Sequence, residues 1–122
     1  MFNIDNDNRI SVTRGDSFSV PLFLNIGTDL EPVLYRLQKR DCLYLAVTEP
    51  NQPFECAIVK KVITEKDMNE DGTVNVRFKS KDTECLLPGK YYYQVKARFA
   101  TNDDEEYTIN TVVPETEFII MK

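Results

Sequence analysis

Asp82-Thr83-Glu84-Cys85-Leu86-Leu87-Pro88-Gly89-Lys90-Tyr91-Tyr92-Tyr93-Gln94-Val95 reads in three parts: a polar turn segment, a Pro-Gly corner and an aromatic strand. The alternation continues past it. Tyr91, Tyr93, Val95, Ala97 and Phe99 fall on one face, and Tyr92, Gln94, Lys96 and Arg98 on the other. Period two over such a run is the pattern of a strand with one buried side. About seventy residues earlier, Ile10-Ser11-Val12-Thr13-Arg14-Gly15-Asp16-Ser17-Phe18-Ser19-Val20 reads as strand, tight turn, strand.

Working outward, the chain breaks into short alternating runs joined by turn chemistry, which is the layout of an all-β domain. Residues 10–13 make a first strand. Phe18, Val20, Leu22, Leu24 and Ile26 then alternate, with Pro21 on the opposite face. Proline cannot donate to a ladder, so this strand is expected on a sheet edge or at a bulge. Residues 30–40 fit one short helical turn or an irregular connection. Residues 42–48 are a strand, and residues 55–63 return as its hairpin partner across a turn holding Pro50 and Pro53. After a polar segment at 64–72, residues 73–79 alternate again. Residues 80–87 are expected to form one helical turn, with Leu86 or Leu87 plugging the core. Strands follow at 90–99, at 107–113 and, after Pro114, at 117–121. The expected fold is an immunoglobulin-like β-sandwich of seven to nine strands, with residues 1–8 as an N-terminal tail and 9–122 as one domain.

Composition excludes several classes of function. The 122 residues carry a net charge of −5, which argues against nucleic acid as a partner because phosphate binding needs excess Lys and Arg. The local groups Arg36, Lys39, Arg40 and Lys60, Lys61 read as solvated faces. No apolar run is long enough to span a membrane, and the polar start lacks the pattern of a signal peptide. Cys42, Cys56 and Cys85 are odd in number and widely spaced; free, mostly buried thiols in a reducing compartment are expected. Histidine is absent. The commonest general base, nucleophile partner and metal ligand is therefore missing. No catalytic, cofactor-binding or metal-binding residue is assigned, and a non-enzymatic protein without cofactors is expected.

Four motifs stand out against this background. Arg14-Gly15-Asp16 is a tripeptide that some cell-surface receptors bind, but in this setting it reads as a turn. Asp67-Met68-Asn69-Glu70-Asp71-Gly72 matches the opening of a calcium loop, yet the twelfth position, where a bidentate Glu belongs, is Phe78. Asn102-Asp103-Asp104-Glu105-Glu106 reads as an acidic loop tip, with a basic patch on a neighbouring subunit as its candidate contact. Among the three consecutive tyrosines, Tyr91 and Tyr93 are expected to bury their rings, and a tyrosine just past a corner can send its hydroxyl back to the backbone. Tyr92 is left for an interface.

The stretch from Ile10 to Ser17 resembles the opening of a family of small bacteriophage virion domains, which includes N-terminal domains of upper baseplate proteins. Members open with a strand, Arg-Gly-Asp and Ser or Thr, then an alternating apolar strand. They close with Asp-Thr, a Leu, a Gly corner and Tyr-x-Tyr-x-Val. Asp82-Thr83, Leu86 or Leu87, Pro88-Gly89 and Tyr91-Tyr92-Tyr93-Gln94-Val95 fill those places. The resemblance implies a non-enzymatic virion protein, made in the host cytoplasm. It would be a docking or adaptor module of the tail or baseplate, contacting other virion proteins in many symmetric copies. Head decoration of the capsid and a carbohydrate-binding surface module are the alternatives. Upper baseplate proteins continue into fibre-like segments, whereas this chain ends at Lys122, so a stand-alone adaptor or decoration protein is expected.

Overall fold

Val74, Val76 and Phe78 are buried while Asn75 and Arg77 are exposed, so the alternation in sequence becomes an inside and an outside. The same rule builds most of the protein, seen in a computed structural model that describes residues 2–24, 30–31, 33–100 and 107–122. The strands are β1 (Phe2–Ile4), β2 (Ile10–Thr13), β3 (Phe18–Leu22), β4 (Cys42–Thr48), β5 (Val59–Thr64), β6 (Val74–Phe78), β7 (Gly89–Ala100) and β8 (Tyr107–Met121), with one helical turn, α1 (Ser80–Thr83). The structure is 52% strand and 10% helix, which makes the class all-β. β1-β2-β8-β7-β4-β5 form a six-stranded sheet, curled like half a barrel, and β3-β6 form a two-stranded one.

Pairing is antiparallel except where β2 runs parallel to β8, from Ile10 opposite Phe118 to Thr13 opposite Met121. Both sheets feed one buried cluster. Ile10, Leu43, Leu45, Tyr93, Val95 and Phe118 come from the larger sheet, and Val20, Val74, Val76 and Phe78 from the smaller. The aromatic rings join them. Phe18 stacks on Phe78 with centroids 4.6 Å apart, and Phe118 lies 5.9 Å from Phe78 and 6.2 Å from Phe18.

Several expectations change. The first eight residues, read as a tail, contribute β1. Phe2 stacks on Phe18 at 5.2 Å, and Asp5 Oδ1 accepts the Asp7 and Arg9 amides in the turn back to β2. The hairpin partner of β4 begins at Val59, later than residue 55, because the chain first makes a 3-10 turn at Phe54–Cys56. The two expected final strands are one. Opposite β7, Tyr93 to Lys96 is three steps, while on β8 Thr116 to Thr111 is five. β8 therefore bulges around Pro114, whose missing amide proton falls where the ladder is already out of step. Thr116 Oγ1 donates to Pro114 O at 2.7 Å within the bulge. β3 ends at Leu22, with Leu24 still buried; Ile26 lies outside the described residues. Pro21 is exposed and sits opposite Asn75 in the two-stranded sheet, a strand edge as anticipated. Residues 33–38 form no helix; they are the irregular connection of the two readings.

Candidate functional site

The two sequence patterns that stand about seventy residues apart touch. The Gly15 amide donates to Thr83 Oγ1 at 2.9 Å, and Thr83 is completely buried. Gly15 has φ +84, a conformation that other residues resist; the space around a Cβ there is open, so the demand is conformational. Asp16 N donates to Thr13 O at 3.1 Å, and Arg14 N donates to Met121 O at 2.9 Å. The Arg-Gly-Asp turn is thus pinned to α1 on one side and to the end of β8 on the other. Replacing Thr83 with valine keeps the volume but removes the acceptor. It should cost about 1–2 kcal/mol, read as a lower urea midpoint with unchanged slope.

Asp82 beside it is equally committed. Its Oδ2 accepts the Lys79 amide at 2.7 Å and pairs with Lys61 Nζ at 2.6 Å. Burial pushes the carboxyl upward, but the hydrogen bonds from Lys61 and the Lys79 amide outweigh it and hold the group below its ordinary value of 3.8. Lys61 also lies 5.3 Å over the Phe78 ring. It is therefore no member of a solvated face, unlike exposed Lys60. After the Pro88-Gly89 corner, Tyr91 Oη donates to Leu87 O at 2.7 Å. Leu86 packs against the core, whereas Leu87 is 76% exposed, which decides between the two plugs.

The other tyrosines divide as their alternation requires. Tyr93 is buried, and its hydroxyl donates to Asn8 O. Burial, aided by the charge of Asp5, pushes its pKa up to about 12. Tyr92 is half-buried on the outer face of the larger sheet, opposite Thr48. On that same outer face Lys96 and Lys60 reach the Phe54 ring, at 4.5 and 5.6 Å. Tyr35, which the sequence did not single out, donates to buried Asp41 at 2.7 Å; burial first and that carboxylate second push its pKa to about 12.

The calcium-like stretch is spent on turn construction. Asp67 Oδ2 accepts the Thr64 amide at 2.9 Å, and Asp71 Oδ1 accepts Thr73 N and Oγ1 at 3.0 and 2.6 Å. Gly72, at φ +87, is packed under Leu34 and Arg36, and Phe78 lies in the core. Among the described residues no group of three or more Cys, Asp or Glu is placed to hold a metal ion. The acidic stretch at 102–106 lies outside them. All three thiols are free, but Cys56 and Cys85 are exposed and Cys42 only half-buried, against the expectation of mostly buried thiols. Cys56 and Cys85 stand in connecting turns, which run over the surface.

One surface feature was not legible in sequence. β5 is the outer strand of the larger sheet, and β6 belongs to the two-stranded sheet. Between them is a cleft of about 400 Å³ whose lining includes Lys61, Val62, Lys66, Asp67, Val76 and Arg77. Alternation put Arg77 outside; that it faces β5 required the tertiary structure. No helix among the described residues is long and apolar enough to cross a membrane. Comparison with models of protein families, with curated proteins and with solved structures finds no match.

Proposed function

We propose that this chain is an immunoglobulin-like sandwich and a non-enzymatic docking module of a bacteriophage virion, in the tail or baseplate and in several copies. The observation that carries this reading is the hydrogen bond from the Gly15 amide to Thr83 Oγ1. It ties together the two stretches on which the resemblance to virion domains rests, and so gives their joint presence a physical reason. The fold part has further support. The order β8-β7-β4-β5, with β3 paired to β6, follows the arrangement of G, F, C and C′ strands beside B and E. The Tyr91 hydroxyl on Leu87 O, at the corner leading into β7, has the form of the tyrosine corner of that fold.

The mechanism is geometric. A rigid β body presents strand edges and loops to its neighbours, and symmetric repetition multiplies contacts that are individually modest. A carbohydrate-binding surface would call for a row of exposed rings. On the outer face Tyr44 stands opposite Lys96 and Tyr92 opposite Thr48, which separates the two rings by about 13 Å along the strands.

Cryo-electron microscopy of purified particles tests the proposal. Density for this domain at the tail or baseplate is the expected result. Density on the capsid would replace the tail assignment with head decoration, and absence from the particle would overturn the virion reading.

A further inference from the structure

We propose that the cleft between β5 and β6 receives the acidic segment at residues 102–106 of a second copy of this chain. The inference rests on the multi-copy docking reading and names its contact. Three observations meet here. First, both walls are strand edges. β5 pairs only with β4 among the named strands, and β6 only with β3, so each turns a row of backbone donors and acceptors away from its own ladder. Such rows are templates for added chain. The isolated bridge from Met68 to Val74 closes one end of β6.

Second, the cleft is basic in an acidic protein. Lys66 and Arg77 are exposed and make no ion pair among the described residues. Lys61 is paired with Asp82, and Asp67, which also lines the cleft, accepts the Thr64 amide and keeps its negative charge. Lys66 and Arg77 therefore outweigh Asp67 and leave the opening net positive, while the chain as a whole carries −5.

Third, the complementary charge is in the same chain. Asp103, Asp104, Glu105 and Glu106 are consecutive and connect Ala100 to Tyr107. β7 and β8 continue pairing past the end of β4, where Cys42 lies opposite Arg98. Copies with net negative charge repel one another in general, so self-association requires a local meeting of opposite signs, and the cleft supplies one. Cleft and segment are different patches. Two copies can exchange the contact reciprocally as a two-fold dimer, or repeat it head to tail as a ring or row.

Sedimentation equilibrium of the purified chain, from about 10 µM to about 1 mM, tests this. Mass should rise with concentration at low salt and fall back as salt is added. The double variant Lys66→Glu with Arg77→Glu should weaken association about tenfold or more, as should Asp103→Lys with Asp104→Lys. Mixing the two variants should restore it, because each then offers the sign the other lacks. Thermal unfolding matching the parent chain shows that each variant is folded. A chain that stays monomeric throughout overturns the contact, as does association that both variants retain. Salt-dependent stability that both variants lose without any change in mass would place the segment on its own cleft and overturn the second-copy occupant. None of these failures touches the virion reading, which is decided by density in the particle.

Discussion

Phe118→Ala should lower the unfolding free energy by about 3–5 kcal/mol, a large part of the 5–15 kcal/mol typical of a domain. Phe118 is 1% exposed on β8, between Ile10 of β2 and Tyr91 of β7. Its ring meets Phe78 and Phe18 of the smaller sheet, and lies 6.2 Å from Tyr93 in a tilted, edge-on arrangement. Removing it opens a void at the junction between the two sheets, and the rigid rings around it collapse poorly into such a space. Phe118→Leu keeps most of the volume and should cost about 1–2 kcal/mol. Urea unfolding followed by tyrosine fluorescence reads both, since the chain has no tryptophan. Equal losses for the two variants would show that the lost ring contacts, and not the void, set the cost.

Asp82→Ala should cost about 2–3 kcal/mol at neutral pH. The side chains of Asp82 and Lys61 are 15% and 22% exposed, so solvent screens the pair only in part. The substitution leaves the Lys61 ammonium without its partner and the Lys79 amide without its acceptor. Lys61 borders the open cleft, so its head can turn toward water, which keeps the loss below the full cost of an orphaned buried charge. The pH dependence has a definite sign. The folded carboxyl titrates below its ordinary value of 3.8, so it binds its proton less readily than in the unfolded chain. Its stabilisation is fully present above that ordinary value and is lost as pH falls through the lower folded value. The gap between parent and variant should therefore be widest near neutrality and close toward about pH 2. A gap that does not change with pH would mean that Asp82 acts only through packing.

Much of the fold was legible because side chains in a strand alternate whatever lies around them. Residues 42–48 and 73–79 could be placed from sequence for this reason; burial follows the period throughout 74–78 and over Cys42–Leu45, whereas Ala46 and Thr48 on the outer face of β4 are buried as well. β1 was illegible because a three-residue strand holds too little pattern; Phe2 has a place only because Phe18 lies beneath it. Pro114 reads as a break because proline cannot donate to a ladder, yet β8 runs on through it and a bulge absorbs the defect. The candidate surface divides in the same way. The acidic stretch and the outward Arg77 are visible in sequence, whereas the cleft is formed by two strands that never pair with each other.

By itself the sequence determined the all-β class, the inward face of most strands and the turn chemistry at Gly15 and Pro88-Gly89. These follow from the two-residue period and from local backbone sterics, which act over a few residues. Only the tertiary structure decided that Gly15 reaches Thr83, that β2 lies parallel to β8 and that β5 and β6 leave an open basic seam. Those depend on which strand edges find each other across the chain, and that is settled by the collective packing of one core rather than by any local run of residues.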